Sequence, residues 1–111
     1  MAKTTYPAPA LLEMKRVTTH PGEMLREEFL KPLNMSGSAL ARELGVPPNR
    51  ISMIVSKGRS MTADTAIRLG RYFGMSPEFW MNLQAMYDLT SAATKKRSSY
   101  TKIKARELVA A

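Results

Sequence analysis

The chain has 111 residues and no cysteine, and its 17 basic and nine acidic residues give a formal net charge of +8. This length predicts one domain with a modest core, and the absence of cysteine excludes disulfide bonds and thiolate metal sites. No apolar run reaches the length of a membrane span and no secretory signal is present, so we expect a soluble, cytoplasmic protein.

The positive charge is unevenly distributed along the chain. Residues 91–111 carry six basic residues and one acidic residue, whereas residues 18–90 carry eight basic and seven acidic residues. Within that nearly neutral middle, residues 36–59 hold four basic residues and one acidic residue. A local excess of this kind suits a polyanion such as nucleic acid, although a high isoelectric point alone does not establish one.

The first 17 residues differ in character from the segment that follows. They include Pro7 and Pro9 and show no helical period of apolar residues. We therefore expect an extended or disordered N-terminal arm over residues 1–17, and a folded domain that begins near residue 18.

The first helix is predicted to begin after His20. Pro21 takes the first helical position, where its missing N–H is harmless, and Glu23 places a carboxylate near the positive end of the helix dipole. His20 is the only histidine of the chain, and a helix-start residue is a simpler role for it than an acid–base group. Pro32 should end this helix by disfavouring helical geometry at Lys31.

Two short helices joined by a tight turn are predicted at residues 37–44 and 48–55. Ser36 can cap the first of them, and Gly45 can adopt the positive φ that the turn requires. Ala41 supplies the small residue that two steeply crossing helices need where they touch. The inward-facing positions are apolar and have helical spacing: Leu40, Leu44, Val46, Ile51 and Ile54. This spacing is typical of a DNA-binding helix-turn-helix, and an ordinary corner between two helices is the alternative.

The second helix of this pair presents a polar outer face. With its isoleucines facing inward, the positions left outside or at the helix N-terminus are Pro48, Asn49, Ser52, Met53 and Ser56. Asn49 can pair bidentately with adenine, and Ser52 can bond to several base edges. Met53 can pack on a thymine methyl group or can touch the fourth helix instead. A solvated surface residue is the alternative for each of them.

Three cations flank this outer face, namely Arg50, Lys57 and Arg59. Phosphate contacts position a protein on DNA, whereas contacts with base edges read the sequence. We therefore expect affinity from the three cations and base discrimination from Asn49.

Cap signals delimit two further helices. Gly58 should end the third helix, and either Ser60 or Thr62 can cap the fourth. Gly74 should end the fourth helix, and Ser76 should cap the fifth. The buried stripe of the fourth helix has helical spacing and comprises Ala66, Leu69 and Phe73.

The fifth helix carries more apolar surface than one core needs. It has two neighbouring stripes, Phe79, Leu83 and Met86 in one and Trp80, Gln84 and Tyr87 in the other. A surface helix of a small bundle usually needs a single stripe, so we expect a second copy of the chain to pack here. The predicted dimer interface comprises Phe79, Trp80, Leu83, Met86 and Tyr87. The alternative is that residues 91–111 fold back over this helix.

Residues 91–111 are predicted to form a basic C-terminal tail with room for a short helix, because Tyr100, Ile103 and the pair Glu107 and Leu108 have helical spacing. Neither this tail nor the N-terminal arm can bury enough apolar surface to offset its ordering entropy, so we expect both to be mobile in isolation. We expect one of them to order on a partner, the tail through phosphates or the arm through its leucines. A solubilising extension is the alternative.

Four segments within residues 18–90 resemble the HigA-type antitoxin family, which belongs to the wider Xre/Cro-type helix-turn-helix group. They read HPGEMLREEFLKPL, SALARELGVPPNRIS, TADTAIRLGRYFG and SPEFWMNLQAMYDL. The combination of the HPGE motif with the PEFW motif is the most specific part of the resemblance.

This resemblance implies an all-α, five-helix bundle of the phage-repressor-like (lambda-repressor-like) type, which binds operator DNA as a homodimer and represses its own operon. It also implies a small toxin partner similar to the HigB ribosome-dependent mRNA endonucleases. Carried over by motif, the DNA-binding residues would be Ser38, Pro48, Asn49, Arg50, Ser52, Met53, Lys57 and Arg59. An orphan helix-turn-helix regulator without a toxin partner is the alternative.

No catalytic constellation is apparent. The sequence has no cluster of histidine, cysteine and carboxylate residues with metal-ligand spacing, and no glycine-rich phosphate loop that follows a strand. We therefore expect no enzymatic activity, no metal and no cofactor. A ribonuclease toxin is disfavoured because the chain has helical period throughout, and a pure protein-interaction module is disfavoured by Asn49 and the cations around it.

Overall fold

The computed structural model describes residues 10–107, so that the predicted arm residues 1–9, with Pro7 and Pro9, and residues 108–111 lie outside the described part. Within residues 10–107 every regular element is helical, which confirms the all-α prediction. A 3₁₀ helix spans Ala10–Glu13, and the α-helices are α1 Pro21–Leu25, α2 Gly37–Leu44, α3 Pro48–Lys57, α4 Ala63–Phe73, α5 Pro77–Lys95 and α6 Arg97–Thr101. Directly after α1, residues Arg26–Leu30 continue as a π-helical segment.

The chain divides into a larger unit, Thr18–Tyr87, and a smaller unit formed by Met1–Val17 and Asp88–Ala111. The larger unit contains α1 to α4 and the first part of α5. Its core consists of buried apolar side chains from these helices and from the segments that join them: Leu25, Leu30, Leu40, Ala41, Leu44, Val46, Ile51, Ile54, Met61, Ala66, Leu69 and Trp80. This core is what holds the helix-turn-helix.

The start of α1 is as predicted, with Pro21 at the first helical position and His20 as the N-cap. The Nδ1 atom of His20 accepts a hydrogen bond from the Gly22 N–H at 2.9 Å. The imidazole thereby satisfies one of the main-chain N–H groups that lack an intrahelical partner at the start of α1. His20 therefore has a structural role here.

The end of the first helix differs from the prediction. Lys31, directly before Pro32, keeps right-handed helical geometry with φ −62° and ψ −52°, so the expected loss of helical geometry at Lys31 is wrong. Its N–H donates to the Arg26 carbonyl five residues back at 3.0 Å. This wider turn precedes a proline that could not donate a helical hydrogen bond of its own. The helical segment ends at Leu30, and the turn over residues 31–34 ends at Asn34, which has φ 51°.

Helices α2 and α3 form the predicted helix-turn-helix. The Ser36 Oγ accepts from the Ala39 N–H at 3.1 Å and so caps α2. Gly45 follows α2 in the left-handed conformation, with φ 70° and ψ 34°. Directly after it, the Val46 N–H donates to the Ala41 carbonyl at 3.0 Å, and the Val46 side chain is buried. The turn prediction is confirmed.

The caps of the later helices also follow the sequence signals. Gly58 and Gly74 end α3 and α4 with positive φ. Of the two candidate caps for α4, Thr62 is the one used, since its Oγ1 accepts from the Thr65 N–H at 3.5 Å. The Ser76 Oγ accepts from the Glu78 N–H at 3.2 Å at the start of α5.

Helix α5 runs to Lys95 and so crosses the predicted boundary between residues 90 and 91. The residues that extend it include Ala92 and Ala93, which favour helix, and no glycine or proline interrupts them. Thr90 and Ala93 are buried. The start of the predicted basic tail is therefore helical. The short helix α6 lies N-terminal to the position that the spacing suggested, since it includes Tyr100 but neither Ile103 nor Glu107.

The described residues of the arm and the tail contact each other within the smaller unit. The Arg97 Nε donates to the Leu12 carbonyl at 2.8 Å, and the Arg97 Nη2 donates to the Met14 carbonyl. A guanidinium can hold two carbonyls at once because its N–H groups form a rigid fork. These described residues of the arm and the tail are thus joined by hydrogen bonds, a contact that the sequence did not predict.

Replacing Gly45 with valine should lower the free energy of unfolding by about 1–3 kcal/mol, because a β-branched residue resists a positive φ. Lack of space is not the reason, since an added Cβ would meet only the Arg68 Nη1 at 3.6 Å. Gly45→Asn is the matched control and should have a smaller effect, because asparagine tolerates the left-handed conformation. Denaturant unfolding measures both, and a valine variant as stable as the parent would contradict the turn assignment.

Candidate nucleic-acid interface

The outer face of α3 is accessible along its first and last turns. Pro48, Asn49 and Ser56 are exposed, whereas Ile51 and Ile54 are buried beneath them. This alternation follows from the helical period, which puts the isoleucines into the core and turns the polar positions away from it. These three positions of the predicted reading face thus have the accessibility that contact with a base edge requires.

Ser52 and Met53 are less open than the sequence suggested, since both are half-buried. The Ser52 Oγ donates to the Asn49 carbonyl at 3.2 Å, so the hydroxyl is engaged within its own helix. A hydroxyl oxygen keeps acceptor capacity while it donates, and Ser52 can still accept from a base.

The start of α2 lies against the middle of α3. A Cβ added to Gly37 would lie 3.4 Å from the Ser52 main-chain nitrogen, so the two helices approach closely here. Ser38, the next residue, is exposed, and its Oγ lies 3.3 Å from the Ser36 Oγ. A hydroxyl at this position is accessible next to the N-terminal end of α2, where main-chain N–H groups favour anions.

Two of the predicted phosphate-binding cations, Lys57 and Arg59, lie at the other end of α3. Both are exposed, and Gly58 between them has φ 70°. The Arg59 N–H donates to the Met53 carbonyl at 3.1 Å, which closes the end of the helix. This turn fixes the main chain from which the two cationic side chains extend.

The third predicted cation, Arg50, is held by a carboxylate that the sequence analysis did not single out. Its Nη1 lies 2.5 Å from the Asp64 Oδ2, and the same oxygen accepts from the Arg68 Nε at 3.0 Å. The hydrogen bond from Arg68, followed by the one from Arg50, lowers the pKa of Asp64 below its ordinary value. Asp64 is therefore ionised at neutral pH, and it links α3 to α4.

Arginine side chains also hold the C-terminal ends of both helices of the motif. The Arg68 Nη1 donates to the Leu44 carbonyl at the end of α2 at 2.8 Å. The Arg26 Nη1 donates to the Val55 carbonyl in the last turn of α3 at 3.1 Å. A cation at a helix C-terminus is favoured by the helix dipole and satisfies a carbonyl that lacks an intrahelical partner.

The predicted dimer residues of α5 differ in exposure, and for Trp80 the prediction is wrong. Trp80 is fully buried and belongs to the core, so it cannot contact a second copy of the chain. Leu83 and Tyr87 are half-buried, and the Tyr87 ring meets the His20 ring edge-on at a centroid distance of 4.7 Å. The two members that remain well exposed are Phe79 at 37% and Met86 at 39%.

The stripe of α5 that contains Trp80 faces the interior. Its buried members, Trp80 and Gln84, contact the core and the segment between α3 and α4. The Gln84 Oε1 accepts from the Met61 N–H at 2.7 Å, and both residues are buried. Phe29 packs against Trp80 with ring centroids 5.3 Å apart. Helical spacing alone could not show which of the two apolar stripes faced inward.

Sequence reasoning missed Asp64, Arg68 and Arg26. The separation of Asp64 and Arg68 by four residues on a helix does signal an ion pair. No comparable signal connects Arg26 with a carbonyl 29 residues later, because that contact exists only after the helices have packed.

Within residues 10–107, no group of three or more histidine, cysteine, aspartate or glutamate residues is arranged to hold a metal ion. No helix in the same range is long and apolar enough to cross a membrane.

The chain is similar to proteins of known family. The family model described as helix-turn-helix matches residues 26–80. Virulence-associated protein I of Dichelobacter nodosus is 54% identical over 79 residues, which cover 71% of this chain and 73% of that protein. Antitoxin HigA-1 of Vibrio cholerae serotype O1 is 43% identical over 75 residues, which cover 68% of this chain and 70% of that protein.

The chain is also similar to solved structures of antitoxins. The Pseudomonas aeruginosa antitoxin HigA, solved with the higBA promoter, has a TM-score of 0.75 and 46% identity, and the match covers 80% of this chain and 97% of that one. The antitoxin GraA in complex with its operator has a TM-score of 0.78 and 39% identity, covering 87% of this chain and 97% of that one. This chain belongs to the HigA-type antitoxin family of helix-turn-helix proteins.

Proposed function

We propose that this protein is a sequence-specific DNA-binding repressor that acts in the cytoplasm on the operator of its own operon. The observation that carries the proposal is the outer face of α3. An exposed Asn49 lies on a helix whose buried isoleucines fix its orientation, and exposed Lys57 and Arg59 follow at its end. An amide side chain of this kind can read adenine, and the cations can neutralise phosphates.

We also propose that it is the antitoxin of a type II toxin–antitoxin pair, which neutralises a small mRNA-cleaving toxin similar to HigB. Membership of the HigA-type family supports this, as do the similar proteins named as antitoxins. A direct test is to co-express the chain with the product of a small neighbouring open reading frame. Co-purification and rescue of growth would support the antitoxin role, and failure of both would leave only the repressor role.

The DNA-binding proposal is tested by fluorescence anisotropy with the DNA upstream of the gene and with a scrambled duplex of the same length. We expect tighter binding to the upstream DNA and a steep loss of affinity with rising salt, because phosphate contacts release counterions. Equal affinity for both duplexes would contradict sequence-specific repression.

We infer further that the repressor is a homodimer formed through the stripe of α5 that contains Phe79, Leu83 and Met86. The two well-exposed members of this stripe are large and apolar, as a symmetric interface requires. Two α3 helices in successive major grooves would have centres about 34 Å apart, one turn of DNA.

Asn49→Ala should weaken operator binding by about 1–3 kcal/mol and should change binding to scrambled DNA little, because a base edge is read only at the specific site. Lys57→Ala should weaken binding to both duplexes alike and lower the salt slope by about one. Anisotropy titrations at several salt concentrations measure both effects. Equal losses on the two duplexes for Asn49→Ala would make it a backbone anchor instead.

Met86→Glu should convert the dimer into a monomer at micromolar concentration, because it places a charge within the proposed apolar interface. Leu33→Glu is the matched control, since Leu33 is a 55% exposed leucine outside α5 and its replacement makes the same change of charge. Light scattering coupled to size-exclusion chromatography measures the mass of each variant. A Met86→Glu protein that stays dimeric, with the fold intact by circular dichroism, would contradict the proposed interface.

A further inference from the structure

Asp64 is the centre of a chain of contacts that leads from the main chain to Arg50. The Arg68 Nη1 is bonded to the Leu44 carbonyl at 2.8 Å, and the Arg68 Nε is bonded to the Asp64 Oδ2 at 3.0 Å. The same carboxylate oxygen lies 2.5 Å from the Arg50 Nη1. Arg50, in the first turn of α3, is thus tied through two side chains to the end of α2.

The ion pair with Asp64 leaves Arg50 with N–H groups that can bind a second acceptor. A guanidinium has five N–H donors in a rigid fork, and the bond to Asp64 engages the Nη1 end. The Arg50 side chain is 36% exposed, and it lines a groove between α3 and α4 together with Asn49 and Arg59. The held cation therefore belongs to the same surface as the proposed base-reading and phosphate-binding residues.

We propose that Asp64 is a positioning residue for DNA binding, which orients the Arg50 guanidinium so that its remaining N–H groups meet a backbone phosphate. This inference rests on the proposed DNA-binding function and deepens it. A long side chain loses rotamer freedom when it binds, and a side chain that is already held loses less. Asp64 has that effect without contacting DNA itself.

Because Asp64 is negatively charged, the sign of the change in DNA affinity on its removal distinguishes a charge effect from a positioning effect. A carboxylate near DNA repels the phosphates, so its removal should strengthen binding if charge were its only contribution. An aspartate is ionised at neutral pH at its ordinary pKa, so this repulsion applies there. The positioning role predicts the opposite result, namely that neutralising Asp64 weakens operator binding.

The experiment compares the full-length protein with Asp64→Asn and with Glu28→Gln in operator titrations at several salt concentrations. Glu28 is an exposed carboxylate in the π-helical segment, so its replacement makes the same change of net charge away from Arg50. We expect Asp64→Asn to weaken operator binding about three- to tenfold. We also expect it to lower the salt slope, by at most about one, as for a lost phosphate contact. Glu28→Gln should not weaken binding.

A double-mutant cycle shows whether the effect passes through Arg50. Arg50→Gln should reduce affinity by itself, and adding Asp64→Asn to it should have little further effect if Asp64 acts only on Arg50. Arg68→Lys provides a second route, since it keeps the net charge but loses the fork that joins Asp64 to the Leu44 carbonyl. It should weaken operator binding in the same direction. Thermal melts establish that each variant is folded.

Unchanged or tighter operator binding by folded Asp64→Asn would overturn the proposal, as would an undiminished effect in the Arg50→Gln background. If Asp64→Asn does not fold, unchanged or tighter operator binding by folded Arg68→Lys would overturn the proposal instead. A parent protein that binds operator and scrambled DNA equally would contradict the proposed function itself. If the parent protein prefers the operator, and the folded Asp64→Asn and Arg68→Lys variants bind the operator with the parent's affinity, only the proposal on Asp64 is contradicted.

Discussion

The left-handed turn at Gly45 is the constraint on which the rest of the larger unit depends. With φ 70° at this residue, α2 ends and the chain reverses within a few residues, so that α3 begins at Pro48. The reversal lets Ile51 and Ile54 enter the core that α2 also lines. A residue with a branched side chain would resist this conformation, and the outer face of α3 would lose its defined orientation.

The helix-turn-helix is then fixed by hydrogen bonds from side chains to main-chain atoms. Arg68 binds the last carbonyl of α2, and Arg26 binds a carbonyl in the last turn of α3. At the other side of α3, an added Cβ at Gly22 would overlap the Ile54 carbonyl, so the start of α1 is in direct contact with this helix. A site held by several rigid elements keeps its geometry when a ligand binds, which suits the reading of base edges.

Local signals in the sequence predicted most of the fold, because caps and turns depend on neighbouring residues. Ser36, Gly45 and Thr62 act as their residue types suggested. Contacts between distant residues could not be predicted in this way. Two apolar stripes on α5 were equally plausible as core, and only packing assigned Trp80 to the interior. The pairing of Arg97 with the Leu12 carbonyl and of Arg50 with Asp64 likewise depends on the folded chain.

The central claim is that the outer face of α3 meets the DNA. An NMR titration of ¹⁵N-labelled protein with its upstream DNA tests this most directly, since it reports on every main-chain amide at once. The largest amide shifts are predicted in residues 49–59 and at the start of α2, with smaller shifts at the same positions on scrambled DNA. Large shifts confined to α5 or to the smaller unit, with residues 49–59 unchanged, would contradict the claim.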